Sequence, residues 1–113
     1  GEVYISAITA SELLIGVHRA DSIARKNRRA AFVEYILSNI SSLPFTLEIA
    51  RIHAEIYAGL QSKGEIIGAH DIIIGATAMA YSYPIITMNT REFDRIAGLK
   101  VLIPQEKNSI SGL

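Results

Sequence analysis

The chain reads as an α/β domain with a mainly parallel sheet flanked by helices, and two observations carry that reading. Short β-branched runs at residues 3–8, 85–88 and 99–103 alternate with longer segments whose apolar residues recur at three- and four-residue steps. No Pro/Gly-rich linker or internal repeat divides the 113 residues, so one domain over residues 1–104 and a polar tail over 105–113 are expected. A chain of this length can bury a single core with little to spare.

Residues 3–8 place apolar side chains on both parities of the alternation, which predicts a strand covered on both faces. Thr9-Ala-Ser-Glu12 then has the form of a capping box, with the Thr9 hydroxyl on the N3 amide and Glu12 reaching back to the Thr9 amide. Leu13, Leu14 and Val17 continue that helix. Asp21-Ser22 restarts a second, ending near Asn39, whose stripe is Ala24, Ala31, Phe32, Tyr35 and Ile36. Pro44 disfavours helix at Leu43, so residues 43–46 form a short strand or extended link. Thr46 can cap the next helix, with Glu48 in its first turn and a stripe of Ile49, Ile52, Ile56, Tyr57 and Leu60. Lys63-Gly64 stops it.

A helix over residues 71–83 is apolar on nearly every face and is expected to be central and covered. A strand over 85–88, a short helix over 90–95 and a last strand over 99–103 complete the order. The tail after Pro104 is polar, with fraying expected.

Half the residues are hydrophobic, yet charged residues interrupt every apolar run well before the ~18 residues of a membrane span. The N-terminus lacks the basic start of a signal peptide. The absence of cysteine excludes disulfides, thiolate metal sites and cysteine nucleophiles. A cytoplasmic location is the simplest expectation. With eleven basic and eleven acidic residues, net charge gives no push towards nucleic acid. Five of the basic residues, Arg19, Arg25, Lys26, Arg28 and Arg29, nevertheless fall within eleven positions that hold one acid, Asp21. That cluster is either a solvated helix pair or a local phosphate-binding patch, and composition does not choose.

Asp71 opens the apolar helix, and Asn89-Thr90 follows the C-terminal end of a strand. Ligands of α/β sheets bind at that edge. Taken singly, each candidate has a structural explanation: Glu12 in the capping box, Asp71 as a first-turn acid complementing the helix dipole, and Asn89 and Thr90 as caps. His18 is expected at the surface, His53 on an apolar stripe, and His70 beside Asp71; no pair has zinc spacing. No Walker or Rossmann phosphate loop is present, which disfavours a kinase or nucleotide-binding protein.

Three longer segments resemble the PIN-domain nucleases, in particular the VapC toxins of toxin–antitoxin pairs. They are Val3-Tyr-Ile-Ser-Ala-Ile-Thr-Ala-Ser-Glu-Leu-Leu-Ile-Gly-Val17, Gly68-Ala-His-Asp-Ile-Ile-Ile-Gly-Ala-Thr-Ala78, and Thr87-Met-Asn-Thr-Arg-Glu-Phe93. The resemblance implies a three-layer fold and a metal-dependent endoribonuclease that cleaves structured RNA such as tRNA. By it, Glu12 matches the family's second acid and Asp71 the third, as ligands of Mg²⁺ or Mn²⁺. Asn89 matches the position where many members carry a fourth acid, and Thr90 would help position water. The same resemblance implies a basic RNA track from Arg19, Arg25, Lys26, Arg28 and Arg29, a small antitoxin partner, and a homodimer. Leu13, Leu14, Val17 and Phe32 are the candidate antitoxin-lining residues. The family's opening strand and its first Asp have no counterpart here, so the domain is expected to lack its N-terminal strand. The alternatives are a catalytically inactive remnant acting as an antitoxin-binding or dimerisation module, and a DNA nuclease of the same fold.

Overall fold

The computed structural model describes residues 2–104, so the 105–113 tail lies outside the described residues. Two compact units divide the chain, Gly1–Leu47 and Glu48–Leu113. All described strand pairs are parallel and are joined through helices, which is the expected α/β class.

In the first unit, β1 (Tyr4–Ser6) leads into α1 (Ala7–His18), then α2 (Ile23–Asn39) and β2 (Ser41–Leu43). β1 and β2 pair in register Tyr4↔Ser41, Ile5↔Ser42 and Ser6↔Leu43. The strand is three residues long because Ser6 is spent on a cap. Its hydroxyl accepts from the Thr9 amide at 3.1 Å and meets Thr9 Oγ1 at 3.0 Å. The expected Thr9–Glu12 capping box is therefore not formed: Thr9 is the N3 residue, and Glu12 lies three residues further along the helix. Ser22 caps α2 as expected, accepting from the Arg25 amide.

The buried stripe of α2 differs from the expected one by a step around the helix. Ala30, Val33, Ile36 and Leu37 are covered, with Ile40 just past the helix end, so Ile36 is as expected, while Ala24, Ala31, Phe32 and Tyr35 are exposed. Phe32 is 64% exposed. Neighbouring residues lie about 100° apart on a helix, so the larger side chains suggested the wrong one of two adjacent apolar faces.

The second unit runs α3 (Leu47–Ser62), whose first residue closes the preceding unit, α4 (Ala69–Ala80), β3 (Ile85–Ile86), α5 (Thr90–Phe93) and β4 (Val101–Leu102). On α3, Ile49 and Leu60 are buried and Ile52, His53 and Ile56 half-buried, whereas Tyr57 is exposed and stacks on His53 at 6.5 Å between ring centroids. Gly64 ends this helix in the left-handed region at φ 69°. Glu65 N–H donates to the Leu60 carbonyl at 2.9 Å and Gly64 N–H to that of Gln61 at 3.1 Å, the paired bonds of a Schellman stop. From Asp71 to Ala80 no residue of α4 is exposed, as its all-round apolarity requires. Leu60, Ile67, Ile72, Phe93 and Ile96 form the core of this unit. β3 and β4 pair Ile85↔Val101 and Ile86↔Leu102, and both are shorter than expected, as is α5.

Candidate functional site

Asp71 is the N3 residue of α4, two positions after its first residue, Ala69. Its side chain is half-buried, and its Oδ2 lies 3.6 Å from where a Cβ on Gly68 would be. Gly68 is the N-cap and supplies no side-chain oxygen to the helix's first amides. The positive end of α4 thus meets a carboxylate one turn in, where a negative charge is favoured. Gly68 leaves that carboxylate accessible on one side, which a larger residue would narrow.

Asn89 is the residue before α5, but its side chain makes no capping hydrogen bond. Its backbone N–H instead donates to Thr87 Oγ1 at 2.9 Å, so Thr87 shapes the turn. The Asn89 amide is exposed, and its use as a helix cap does not explain it. Thr90, at the start of α5, is half-buried. Glu12 is exposed in the second turn of α1, and with the capping box gone its position owes nothing to that motif. Glu12 belongs to the first unit, and Asp71, Asn89 and Thr90 to the second.

Within the second unit the segments bearing Asp71 and Asn89 are locked together through the turn after α5. A Cβ on Gly75 of α4 would fall 2.7 Å from Ile96 Cδ1, so any larger residue here would force the end of the Ile96 side chain to move. Arg95 Nη1 donates to the Ile66 carbonyl at 2.6 Å, across 29 residues of sequence, and Nε lies 3.8 Å from Glu65 Oε2. No sequence pattern marks Arg95.

The five basic residues of the first unit have different partners. Arg25 forms an exposed pair with Asp21 at 3.0 Å, and Arg29 Nη1 donates to the Gly16 carbonyl of α1 at 2.9 Å. Arg19 closes α1 with its backbone N–H on the Ile15 carbonyl. Lys26 and Arg28 are exposed on α2. Of the four candidate lining residues, Phe32 and Leu14 are exposed, Leu13 is half-buried, and Val17 is buried at 7%.

A divalent cation of the magnesium type takes oxygen donors and keeps several waters, and a carboxylate such as Asp71 suits it chemically. Among the described residues no group of three or more His, Cys, Asp or Glu side chains gathers to hold a metal. Among these residues, too, no helix is long and apolar enough to cross a membrane.

The PIN domain family model matches residues 1–99. A ribonuclease VapC from Rickettsia bellii is 42% identical over 101 residues, covering 89% of this chain and 75% of its own. A tRNA(fMet)-specific endonuclease VapC from Shigella flexneri is 32% identical over 100 residues, covering 88% of this chain and 74% of its own. Among solved structures, VapBC2 from Rickettsia felis bound to a promoter DNA fragment is similar at a TM-score of 0.84, with 28% identity over 92% of this chain and 76% of that one. DNA-bound VapBC from Salmonella typhimurium is similar at 0.81, with 31% identity over 87% and 72%. The chain spans about three-quarters of the length of these relatives.

Proposed function

The chain belongs to the PIN-domain family, of VapC type, and on that premise we propose that it is an endoribonuclease, the toxin of a toxin–antitoxin pair. The observation that carries the proposal is the setting of Asp71: an acid in the first turn of a helix with no exposed residue from Asp71 to Ala80, beside a glycine that leaves it approachable. The helix N-terminus favours a negative charge placed in its first turn.

Asp71 would hold a divalent cation, Mg²⁺ or Mn²⁺, through its carboxylate, and by the family resemblance Glu12 is a further candidate ligand. When bound, such an ion neutralises charge on a phosphodiester and makes a water acidic enough to attack phosphorus. Asn89 makes no capping bond with its side-chain amide, which can hydrogen-bond water or a phosphate oxygen, and the Thr90 hydroxyl orients the same group. Lys26 and Arg28 offer exposed charges to the RNA backbone, joined by Arg19 and, with part of their hydrogen-bonding capacity in use, Arg25 and Arg29. Structured RNA such as tRNA is the proposed substrate. Relatives solved as VapBC complexes support an antitoxin partner, for which Leu14 and Phe32 on the packed α1–α2 pair are the exposed anchors. Homodimerisation and a cytoplasmic location complete the proposal.

The second reading is an inactive module that binds an antitoxin or a second copy, and the lack of a three-ligand cluster among the described residues favours it. One experiment separates them. Thermal unfolding with millimolar Mn²⁺ should raise the melting temperature of the wild type but not of Asp71→Asn, because a ligand bound only by the folded state stabilises it. Cleavage of tRNA, with single-stranded DNA alongside, should follow the same pattern. A wild type that ignores Mn²⁺ and leaves RNA intact would establish the inactive module.

A further inference from the structure

We infer that Arg95 is a positioning residue that sets the placement of Asp71 by gripping the backbone just upstream of α4; the consequence for metal and RNA rests on the nuclease reading above. The segment 65–68 joins the end of α3 to the start of α4, and the Gly68 carbonyl accepts the Ile72 N–H of α4 at 3.1 Å. Its first residue is fixed by the Schellman bond from Glu65 N–H to the Leu60 carbonyl. Ile67 is buried in the core, while the Ile66 side chain is exposed, as is Gly68. At the N-cap, Gly68 brings no side chain to fasten the first turn.

Arg95 adds a hold on Ile66 from outside the two helices. Its guanidinium donates to the Ile66 carbonyl at 2.6 Å and faces Glu65 at 3.8 Å. A planar guanidinium can engage a carbonyl and a carboxylate together, which the single ammonium of lysine does less well. The residue after Arg95, Ile96, is buried at 3% against Gly75 of α4. One short segment therefore clasps α4 on its flank by packing and at its entrance by a hydrogen bond. Asp71 lies five residues beyond the gripped carbonyl, and the Asn89–Thr90 turn lies five residues before Arg95. The bond thus ties together the backbone that carries both proposed functions.

The test uses Arg95→Met, Arg95→Lys and Glu65→Gln in the whole chain, read by amide hydrogen exchange and by Mn²⁺ affinity. In Arg95→Met, amides 66–71 should exchange about tenfold faster while the middle of α4 keeps its protection. Its Mn²⁺ affinity should fall roughly tenfold, the usual scale for losing a group that orients a ligand. RNA cleavage should lose kcat by a similar factor, with KM within about twofold. Arg95→Lys, which keeps the charge and the stem, should fall between wild type and Arg95→Met in all three, and it carries the test if the methionine variant does not fold. Glu65→Gln should change little, since a partly exposed pair at 3.8 Å contributes weakly. Unchanged exchange at 66–71, or faster exchange with unaltered Mn²⁺ affinity, overturns the inference. A wild type that binds no Mn²⁺ overturns the nuclease reading instead, and the exchange measurement still decides whether Arg95 holds this segment.

Discussion

Gly75→Ala should destabilise the protein although it replaces glycine inside a helix, where alanine is ordinarily better by about 1 kcal/mol. The added Cβ would stand 2.7 Å from Ile96 Cδ1 and 3.5 Å from Leu99 Cδ2. Carbon atoms pack best at about 3.5–4.0 Å, so Ile96 must retreat by roughly 1 Å. Ile96 is 3% exposed and shares its cluster with Leu60, Ile67, Ile72 and Phe93, which leaves little room for it to turn into. Overpacking of this kind costs about 1–3 kcal/mol. Set against the propensity gain, the net loss is about 1 kcal/mol, or roughly 4–8 °C in melting temperature for a domain near this size. Ile96→Val removes the offending Cδ1 and alone costs about 0.5–1.5 kcal/mol through the small void it leaves. In the double variant the alanine methyl occupies that void, so the pair should lie within about 0.5 kcal/mol of wild type rather than at the sum. Urea unfolding of the four proteins, followed by circular dichroism, measures the cycle. Additive losses, or a single Gly75→Ala variant more stable than wild type, would refute the close approach of α4 to the 93–99 turn.

Gly64→Ala meets no atom within 4 Å, yet φ 69° should cost it about 1 kcal/mol by strain alone, with Gly64→Asn losing less in the same unfolding assay. Ser6→Ala removes the α1 cap and should lower stability by about 1 kcal/mol, whereas Thr9→Ala, which no longer counts as the cap, should lose less. Replacing Lys26 and Arg28 with Gln should reduce the salt dependence of RNA binding by about one unit of slope per phosphate that is no longer neutralised; an unchanged slope would remove them from the RNA track. Leu14→Asp should abolish binding of the cognate antitoxin in a pull-down while leaving Mn²⁺-linked stabilisation intact, because its side chain is exposed and is not a metal-ligand candidate.

What could be read from the sequence was set by local chemistry. Gly64 after a helical stripe predicts a left-handed stop, and the full pair of Schellman bonds is there. Ser22 predicts the start of α2, and its hydroxyl makes the bond. An apolar run without a polar face predicts a covered α4, and no residue from 71 to 80 is exposed. Each of these depends on residues within one or two turns of each other.

The errors begin where two local solutions compete or where the partner is distant. Ser6 and Thr9 are both capping residues three apart, and either could have started α1. Pairing of β1 with β2 carries extended backbone up to Ser6, and the helix begins immediately afterwards. With Ser6 as the cap, Glu12 falls in the second turn of α1, outside the capping box that its spacing from Thr9 predicts. Asn89 follows the same logic, since the turn there is stabilised by Thr87 and not by the Asn89 side chain. Arg95 is the opposite case. Its partner carbonyl is 29 residues away, in a segment with no pattern to announce it, and only the folded chain reveals that the entrance to the Asp71 helix is held from outside. The reactive groups of such a site can be suspected from residue type and spacing, but the groups that aim them act through backbone contacts between remote segments, where one sequence carries little signal.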